Sequence, residues 1–467
     1  MKKLFISLLL FCYPFCSQAQ NLPSKLAVAF NKLQTDTQCA HALIGCYVVD
    51  QASGEVLFSN LSNAGLAPAS CQKVLTSITS FALLGSTFQF ETQIAYSGQI
   101  ANGVLKGSLF IQSAGDPSLG SWRWKTTSEF AIYNQIIAAL KKAGVNQVTG
   151  GLVFYRPNYT SNPLPGGWTW EDMGNYYGAG DYGFNWRENQ FDIQLIPESN
   201  IGGSVKLGTI KPTLTKVKLE NELRTAAPET GDESYVYLAP GSKNGVIRGT
   251  IPISKTMEIS GAIPDPYQVF QDGFYNYAKQ QGIQFSNIPY DVLQGQQLKS
   301  NQPLQRLITI QSPTIDSLNY WFLKKSINLY GEIFLRAIAK KTSGNADTES
   351  GINALQGFYK KVGIDPLAIA IADGSGLSPA NRVTAQSLVQ ALRWAKLQSW
   401  FPAFYQALPI VNGIHMKDGY ISGVRSYCGY IKNETGKEFC FAIIINNFNG
   451  GAGSIREKIW KFLDQLK

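Results

Sequence analysis

Pro68-Ala69-Ser70-Cys71-Gln72-Lys73 is the stretch on which the reading of this chain turns. After it, Val74, Leu75, Ile78, Phe81 and Leu84 recur at helical spacing and give one apolar face, and Gly85 is placed to end the helix. Ser70 then lies in the first turn of a buried helix, with Lys73 on the same face three residues on. A serine needs a base beside it to become a nucleophile. Lysine, with an ordinary pKa of ~10.4, serves only where burial or a neighbouring cation favours its neutral form. The helix N-terminus adds a positive dipole end and backbone N–H groups, one of them free to bind an oxyanion. Of all the serines in the chain, Ser70 alone has a lysine three positions on. By itself the pattern also fits a capping serine and a solvated lysine, so its companions decide.

Upstream, Ile44–Asp50 is an apolar β-type run, Gln51–Gly54 a turn, and Glu55–Phe58 a second strand, together a hairpin. Downstream, from about Phe88 to Pro303, strand-like stretches such as Ser108–Gln112 and Phe191–Ile196 alternate with glycines and prolines. Helical signal there is sparse, Glu129–Ala143 being the clearest case. Helical character returns over Thr314–Lys341 and Thr384–Leu397, followed by a strand (Gly423–Ile431), a turn, a strand (Phe439–Asn446) and a last helix (Gly453–Leu466). Hairpin, helices, hairpin and helix suit an α+β fold, an antiparallel sheet flanked by helices. Residues 20–87 and 304–467 would form that domain. Residues 88–303 would be an inserted accessory region of two small, mainly-β domains.

Met1-Lys2-Lys3, the apolar run Leu4–Phe11 and the small residues Ser17-Gln18-Ala19 read as a secretory signal peptide over residues 1–19. Pro14 interrupts the run short of the roughly 20 apolar residues a spanning helix needs, so the exported chain is expected to be soluble, not transmembrane. Phe15 is too bulky for Cys16 to be a lipoprotein cysteine. The net charge of +9 is spread along the chain with no lysine or arginine stripe, which argues against nucleic acid. With two histidines, His41 and His415, and no HExxH pattern, a histidine triad or zinc hydrolase has little to stand on. The cysteines after position 19 are Cys39, Cys46, Cys71, Cys428 and Cys440, an odd set without CxxC spacing. Cys428 and Cys440 either face each other across a hairpin or are buried free thiols.

Two further motifs follow in order, Ser326-Ile327-Asn328 and Lys417-Asp418-Gly419. With them the chain resembles the penicillin-binding enzymes and their SxxK, SxN and KTG motifs. The closer resemblance is to the D-alanyl-D-alanine carboxypeptidase/endopeptidase branch, low-molecular-mass class C, with its long insertion between the first two motifs. Asp373–Ser378 looks like the branch's internal signature, Gly429-Tyr430-Ile431 like its last hairpin, and Gly115-Asp116-Pro117 and Trp168–Met173 like features of its insertion. Ser317-Leu318-Asn319 also fits SxN, but the lysines before Ser326 and Leu329-Tyr330 after it favour Ser326.

The resemblance implies a penicillin-binding, β-lactamase-like transpeptidase domain and a periplasmic serine D,D-peptidase that needs no cofactor or metal. Its partners would be peptidoglycan stem peptides, with β-lactams as covalent inhibitors. Ser70 would be the nucleophile and Lys73 its base. Ser326 would relay a proton to the leaving amine, and Asn328 would bind the substrate amide and help hold Lys73. Lys417 would add positive potential at the cleft, and the backbone N–H of Tyr420, next to Gly419, would complete the oxyanion hole. Asp172 and Tyr177 match positions that contact the diaminopimelate side chain, although surface-loop residues would look the same. Asp418 departs from the family, where a hydroxyl residue helps bind a substrate carboxylate. It would turn away, pair with Lys417 or Arg425 and shift specificity towards cross-links, or mark an inactive wall-binding relative. A β-lactamase or esterase built on the SxxK core is the other reading of the same motifs.

Overall fold

The Glu438–Asn446 strand carries an uninterrupted apolar run, Phe439 to Ile445, with both of its faces covered. Side chains alternate along a strand, so Phe439, Phe441, Ile443 and Ile445 enter one apolar cluster while Cys440, Ala442 and Ile444 enter another. The computed structural model describes residues 21–253, 255–286, 289–294 and 304–467. The signal segment, residues 1–19, lies outside the described residues.

This strand is central to a six-stranded antiparallel sheet ordered Val56–Asn60, Leu43–Asp50, Glu438–Asn446, Val424–Lys432, Ile414–Ile421 and Ile410–Val411. The N-terminal hairpin and the C-terminal strands thus share one sheet. Helices Leu22–Gln34 and Ala452–Leu463 cover one face, with Leu26, Phe30, Ile455, Ile459 and Phe462 buried against it. The other face packs on Lys73–Leu83, Ile315–Lys324, Asn328–Ser343, Thr348–Lys361, Ala385–Ala395 and Phe401–Ala407. An α+β fold with helices on both faces of an antiparallel sheet is what the sequence pattern implied.

The insertion is rich in strands, as expected, and adds to the expected Glu129–Lys142 helix a second long one that the sequence reading did not give. A five-stranded mixed sheet runs Asp291–Gln294, Leu152–Arg156, Leu109–Gln112, Glu91–Tyr96 and Gln305–Gln311, accompanied by helices Glu129–Lys142 and Pro266–Gln280. The second helix escapes a sequence reading because its buried face is built from Tyr267, Val269, Phe270, Phe274 and Ala278 among glutamines and tyrosines. Its Asp265 cap, which accepts from the Gln268 N–H at 3.0 Å, and Pro266 in the first turn mark its start. Gln305–Gln311, read as part of the returning α+β region, pairs with Glu91–Tyr96 and so edges the insertion's sheet. Smaller sheets join Gln190–Pro197 to Val205–Lys211 and Met257–Ala262, and gather three strands around Asn244–Pro252. A single apolar cluster from Ile94 to Ile310 runs through these parts.

One local expectation is corrected, and one open alternative is decided in favour of buried free thiols. Thr314–Lys341 is not one helix: Lys325, Ser326 and Ile327 separate two, and Ser326 has φ +57°, a left-handed conformation that ends the first and re-aims the chain into the second. Cys428 and Cys440 do not oppose each other, because the register sets Cys428 against Ala442 and Cys440 against Tyr430. The five described cysteines are free and buried.

Candidate active site

Ser70 occupies a short 3₁₀ turn, Ala69–Gln72, that leads directly into the Lys73–Leu83 helix. Ala69 before it has φ +45°, a conformation unusual for a residue with a Cβ, held by burial on all sides. The turn aims Ser70 into a cleft of about 800 Å³, also lined by Ser326, Asn328, Tyr420, Asp172 and Tyr177. Six residues singled out in the sequence, from four separated segments, therefore meet at one opening.

Lys73 is fully buried beneath that opening. Its Nζ lies 2.9 Å from Ser70 Oγ, 2.5 Å from Asn328 Oδ1 and 2.7 Å from the Ser375 carbonyl oxygen. Burial, followed by the charge of Lys417, lowers its pKa to about 7, against opposing pulls from Asp373, Glu332 and Asp418. An amine neutral near pH 7 and in hydrogen-bond reach of a hydroxyl is able to take the hydroxyl's proton. Two acceptors on Nζ besides Ser70 fix the amine's direction.

The Asp373–Ser378 loop does more than pack. Asp373 accepts from the N–H groups of Gly376 and Ser378 at 2.7 and 2.6 Å, from Trp168 Nε1 at 2.9 Å and from Asn381 Nδ2 at 2.9 Å. These bonds set the Ser375 carbonyl against Lys73. Glu332, fully buried, accepts from the Gly374 N–H, and burial followed by the nearby Asp373 charge pushes its carboxyl up to about 8. The sequence marked Ser375 only as part of the signature loop, since its contact with Lys73 is through a backbone carbonyl, and Glu332, mid-helix without a motif, was not found.

Asn328 also ties the insertion to the site, because its Nδ2 donates to the Tyr177 carbonyl at 2.8 Å. Asp172 accepts from Thr169 Oγ1 at 2.7 Å, and burial raises its pKa. The Tyr177 phenol is pushed up by burial, then by Asp172. Deeper in the cleft Arg123 meets Glu188 through two bonds, 2.7 and 3.0 Å, a pair the sequence gave no sign of. The alternative Ser317-Leu318-Asn319 is a packing feature: Asn319 bonds Ser77 and Ser80 inside the core, and Ser317 accepts from Trp124 Nε1.

On the opposite wall, the Ile414–Ile421 strand passes so close to the nucleophile turn that a Cβ on Gly419 would lie 2.9 Å from Ser70 N and 2.6 Å from the Pro68 carbonyl oxygen. Ser426, paired with Gly419 in the next strand, donates to that carbonyl at 2.5 Å. The lack of a side chain at 419 sets the width of the gap between the strand and Ser70. Gly419→Ala is expected to lower turnover by about 10²-fold or more, the scale of a lost oxyanion donor, and to reduce stability by about 1–3 kcal/mol through overpacking. Steady-state kinetics beside a thermal melt would check both.

Lys417 and Asp418 directly precede Gly419 on this strand, behind the residues that line the cleft. Lys417 is 1% exposed and its Nζ donates to the Asp418 carbonyl at 2.7 Å and to Asp418 Oδ1 at 3.1 Å. Arg425 Nη2 lies 3.6 Å from Asp418 Oδ2. Of the three readings of Asp418, the geometry matches pairing, with both cations at once.

With this geometry in place, the sequence profile of the D-Ala-D-Ala carboxypeptidase 3 (S13) family matches residues 26–466. The chain belongs to that family. D-alanyl-D-alanine carboxypeptidase DacB of Haemophilus influenzae is 26% identical over 409 residues, covering 82% of this chain and 81% of the relative. The crystal structure of penicillin-binding protein 4 from the same organism superposes with a TM-score of 0.78 at 22% identity, covering 94% of this chain and 98% of the other. Its complex with a β-lactam superposes with a TM-score of 0.72 at 22% identity over 95% and 98% of the two chains. The fold of the S13 chain is thus that of the penicillin-binding proteins, insertion included.

Proposed function

We propose that the chain is a periplasmic serine D,D-peptidase that cuts D-alanyl bonds of peptidoglycan stem peptides through an ester on Ser70. The observation that carries this is Ser70 Oγ at 2.9 Å from a buried Lys73 amine whose pKa falls to about 7, at the mouth of a cleft. Membership in the D-Ala-D-Ala carboxypeptidase family supports the substrate class. The charged start and apolar run of residues 1–19 support export, and among the described residues no helix is long and apolar enough to cross a membrane.

In this reading Lys73 Nζ takes the Ser70 proton as Oγ adds to the penultimate D-alanine carbonyl. The oxyanion rests on the N–H groups of Ser70 and Tyr420. The C–N bond breaks, and the leaving amine takes a proton that reaches it from Lys73 through Ser326. Water then adds to the ester with Lys73 as base, and Ser70 leaves reprotonated. Asn328 holds Lys73 in line and binds the substrate amide, while Lys417 keeps the amine neutral. The substrate backbone lies along the Ile414–Ile421 strand, whose outer edge has no strand partner beyond His415 among the described residues. Asp172 would meet the amino group of a diaminopimelate side chain, with the Tyr177 ring beside it.

Mass spectrometry after prolonged exposure to a β-lactam is expected to find one adduct, on the peptide containing Ser70. Absence of an adduct, together with intact wall peptides, would overturn the catalytic reading. Rapid release of the adduct with β-lactam turnover would favour a β-lactamase instead.

A further inference from the structure

Three charged groups cluster within two strand positions of Gly419 and the Ser70 gap, and their exposure is graded. The Lys417 side chain is 1% exposed, that of Arg425 12% and that of Asp418 37%. The anion is therefore the group a ligand arriving at this edge meets first, with the cations behind it. Part of their donor capacity is committed within the chain: Lys417 gives two bonds to Asp418, and Arg425 gives Nε and Nη2 to the Tyr427 hydroxyl at 2.9 and 2.6 Å. The Arg425 guanidinium also lies over the rings of Tyr420 and Tyr427, 5.7 and 5.0 Å from their centres, which holds it in place. Burial works to raise the Asp418 pKa, but Lys417 and Arg425 outweigh it and keep the carboxyl below its ordinary value, hence ionised at neutral pH.

Where two nearly buried cations flank a peptide-binding strand beside a nucleophile, an anionic group of the substrate is the natural partner. Here the chain supplies that anion itself. We infer that Asp418 fills the carboxylate-receiving position of the cleft, so that the preferred leaving amine carries no ionised carboxylate on its adjacent carbon. This rests on the reading of Ser70 as the acylated residue and narrows the substrate class. The favoured bonds are D-alanyl amides of a side-chain amine on a methylene carbon, or of an amino acid whose carboxyl is amidated. A free C-terminal D-alanine is disfavoured, because its carboxylate is brought against the ionised Asp418 oxygens, which already neutralise the two cations.

The test compares two peptides differing only at the C-terminus, N-acetylated L-Lys-D-Ala-D-Ala as the free acid and as the carboxamide, on the full chain. The wild type is expected to favour the carboxamide in kcat/KM by about tenfold or more, the effect of one unfavourable charge contact. Asp418→Thr and Asp418→Asn are expected to shift the ratio towards the free acid by a similar factor. A loss of stability alone would lower both rates and leave the ratio unmoved. Equal or better cleavage of the free acid by the wild type overturns the inference and leaves the peptidase reading standing. Failure to cleave either peptide, with no adduct on Ser70, overturns both.

Discussion

Ser70→Ala is expected to abolish covalent labelling and to lower peptide turnover by about 10⁶-fold, the scale observed when an activated serine nucleophile is deleted. Lys73→Ala should cost nearly as much, and the double variant no more than either alone. Residues that act as one unit are not additive: a hydroxyl without a base and a base without a hydroxyl fail at the same step. The 2.9 Å contact between Ser70 Oγ and Lys73 Nζ is the physical basis of that unit. The two variants differ in stability. Ser70 opens to the cleft, and its loss removes one bond. Lys73 is buried, and its loss leaves Asn328 Oδ1 and the Ser375 carbonyl without their donor, at about 1–3 kcal/mol each for an unsatisfied buried group. A lower melting temperature for Lys73→Ala than for Ser70→Ala, at matched loss of turnover, is the expected pattern. Independent, multiplying losses in the double variant would separate the two residues and sink the pairing.

The second large effect is on pH. A Lys73 pKa of about 7 makes the neutral amine the minor form below that pH and the major form above it. The rate of Ser70 acylation should therefore rise about tenfold per pH unit on the acid side, bend near pH 7 and level off above. Removing the Lys417 charge makes the protonated form of Lys73 easier to hold, and leaves Asp418 less neutralised, which acts in the same direction. Lys417→Ala should move the bend to higher pH by about one unit, and so slow acylation about tenfold at pH 6 with little change on the plateau. Adduct formation timed by mass spectrometry from pH 5.5 to 9 would read both curves. A wild-type profile that is flat or falls with pH would remove Lys73 as the base.

Glu332 fits the same electrostatics. Its carboxyl, pushed up to about 8, is mostly protonated at neutral pH and so adds little negative charge to hold a proton on Lys73. Lys73 is buried beside two acids, Asp373 and Glu332, and burial together with the Asp373 charge keeps Glu332 mostly protonated.

The sequence carried the site further than it carried the insertion, for reasons visible in particular residues. Ser70 and Lys73 are three apart on one helical turn, so local geometry fixes their proximity, and helix periodicity through Leu84 declares the burial that shifts Lys73. Asp172 and Tyr177 line the same cleft as Ser70, as their resemblance to insertion residues implied. Pro266–Gln280 was not legible as a helix, because its apolar face is largely aromatic and interrupted by polar residues that pack against a neighbouring sheet. The break at Ser326 was not legible either, since nothing in Lys325-Ser326-Ile327 excludes a continuous helix; the left-handed turn is imposed by what the two helices pack on.

What the sequence alone determined is the α+β sheet with its flanking helices, the proximity of Ser70 and Lys73 and the order of the three motifs, all consequences of short-range periodicity and spacing. The tertiary structure decided what holds Lys73 and what Asp418 does. The partners of Lys73 lie 255 and 302 residues away in the chain, one of them a backbone carbonyl without a side-chain signature. Asp418 reaches Arg425 only through the register that sets Tyr420 opposite Arg425 and Asp418 opposite Tyr427. Spacing along a chain fixes neighbours within a turn or a strand; charges brought together by strand register and loop closure are fixed by packing.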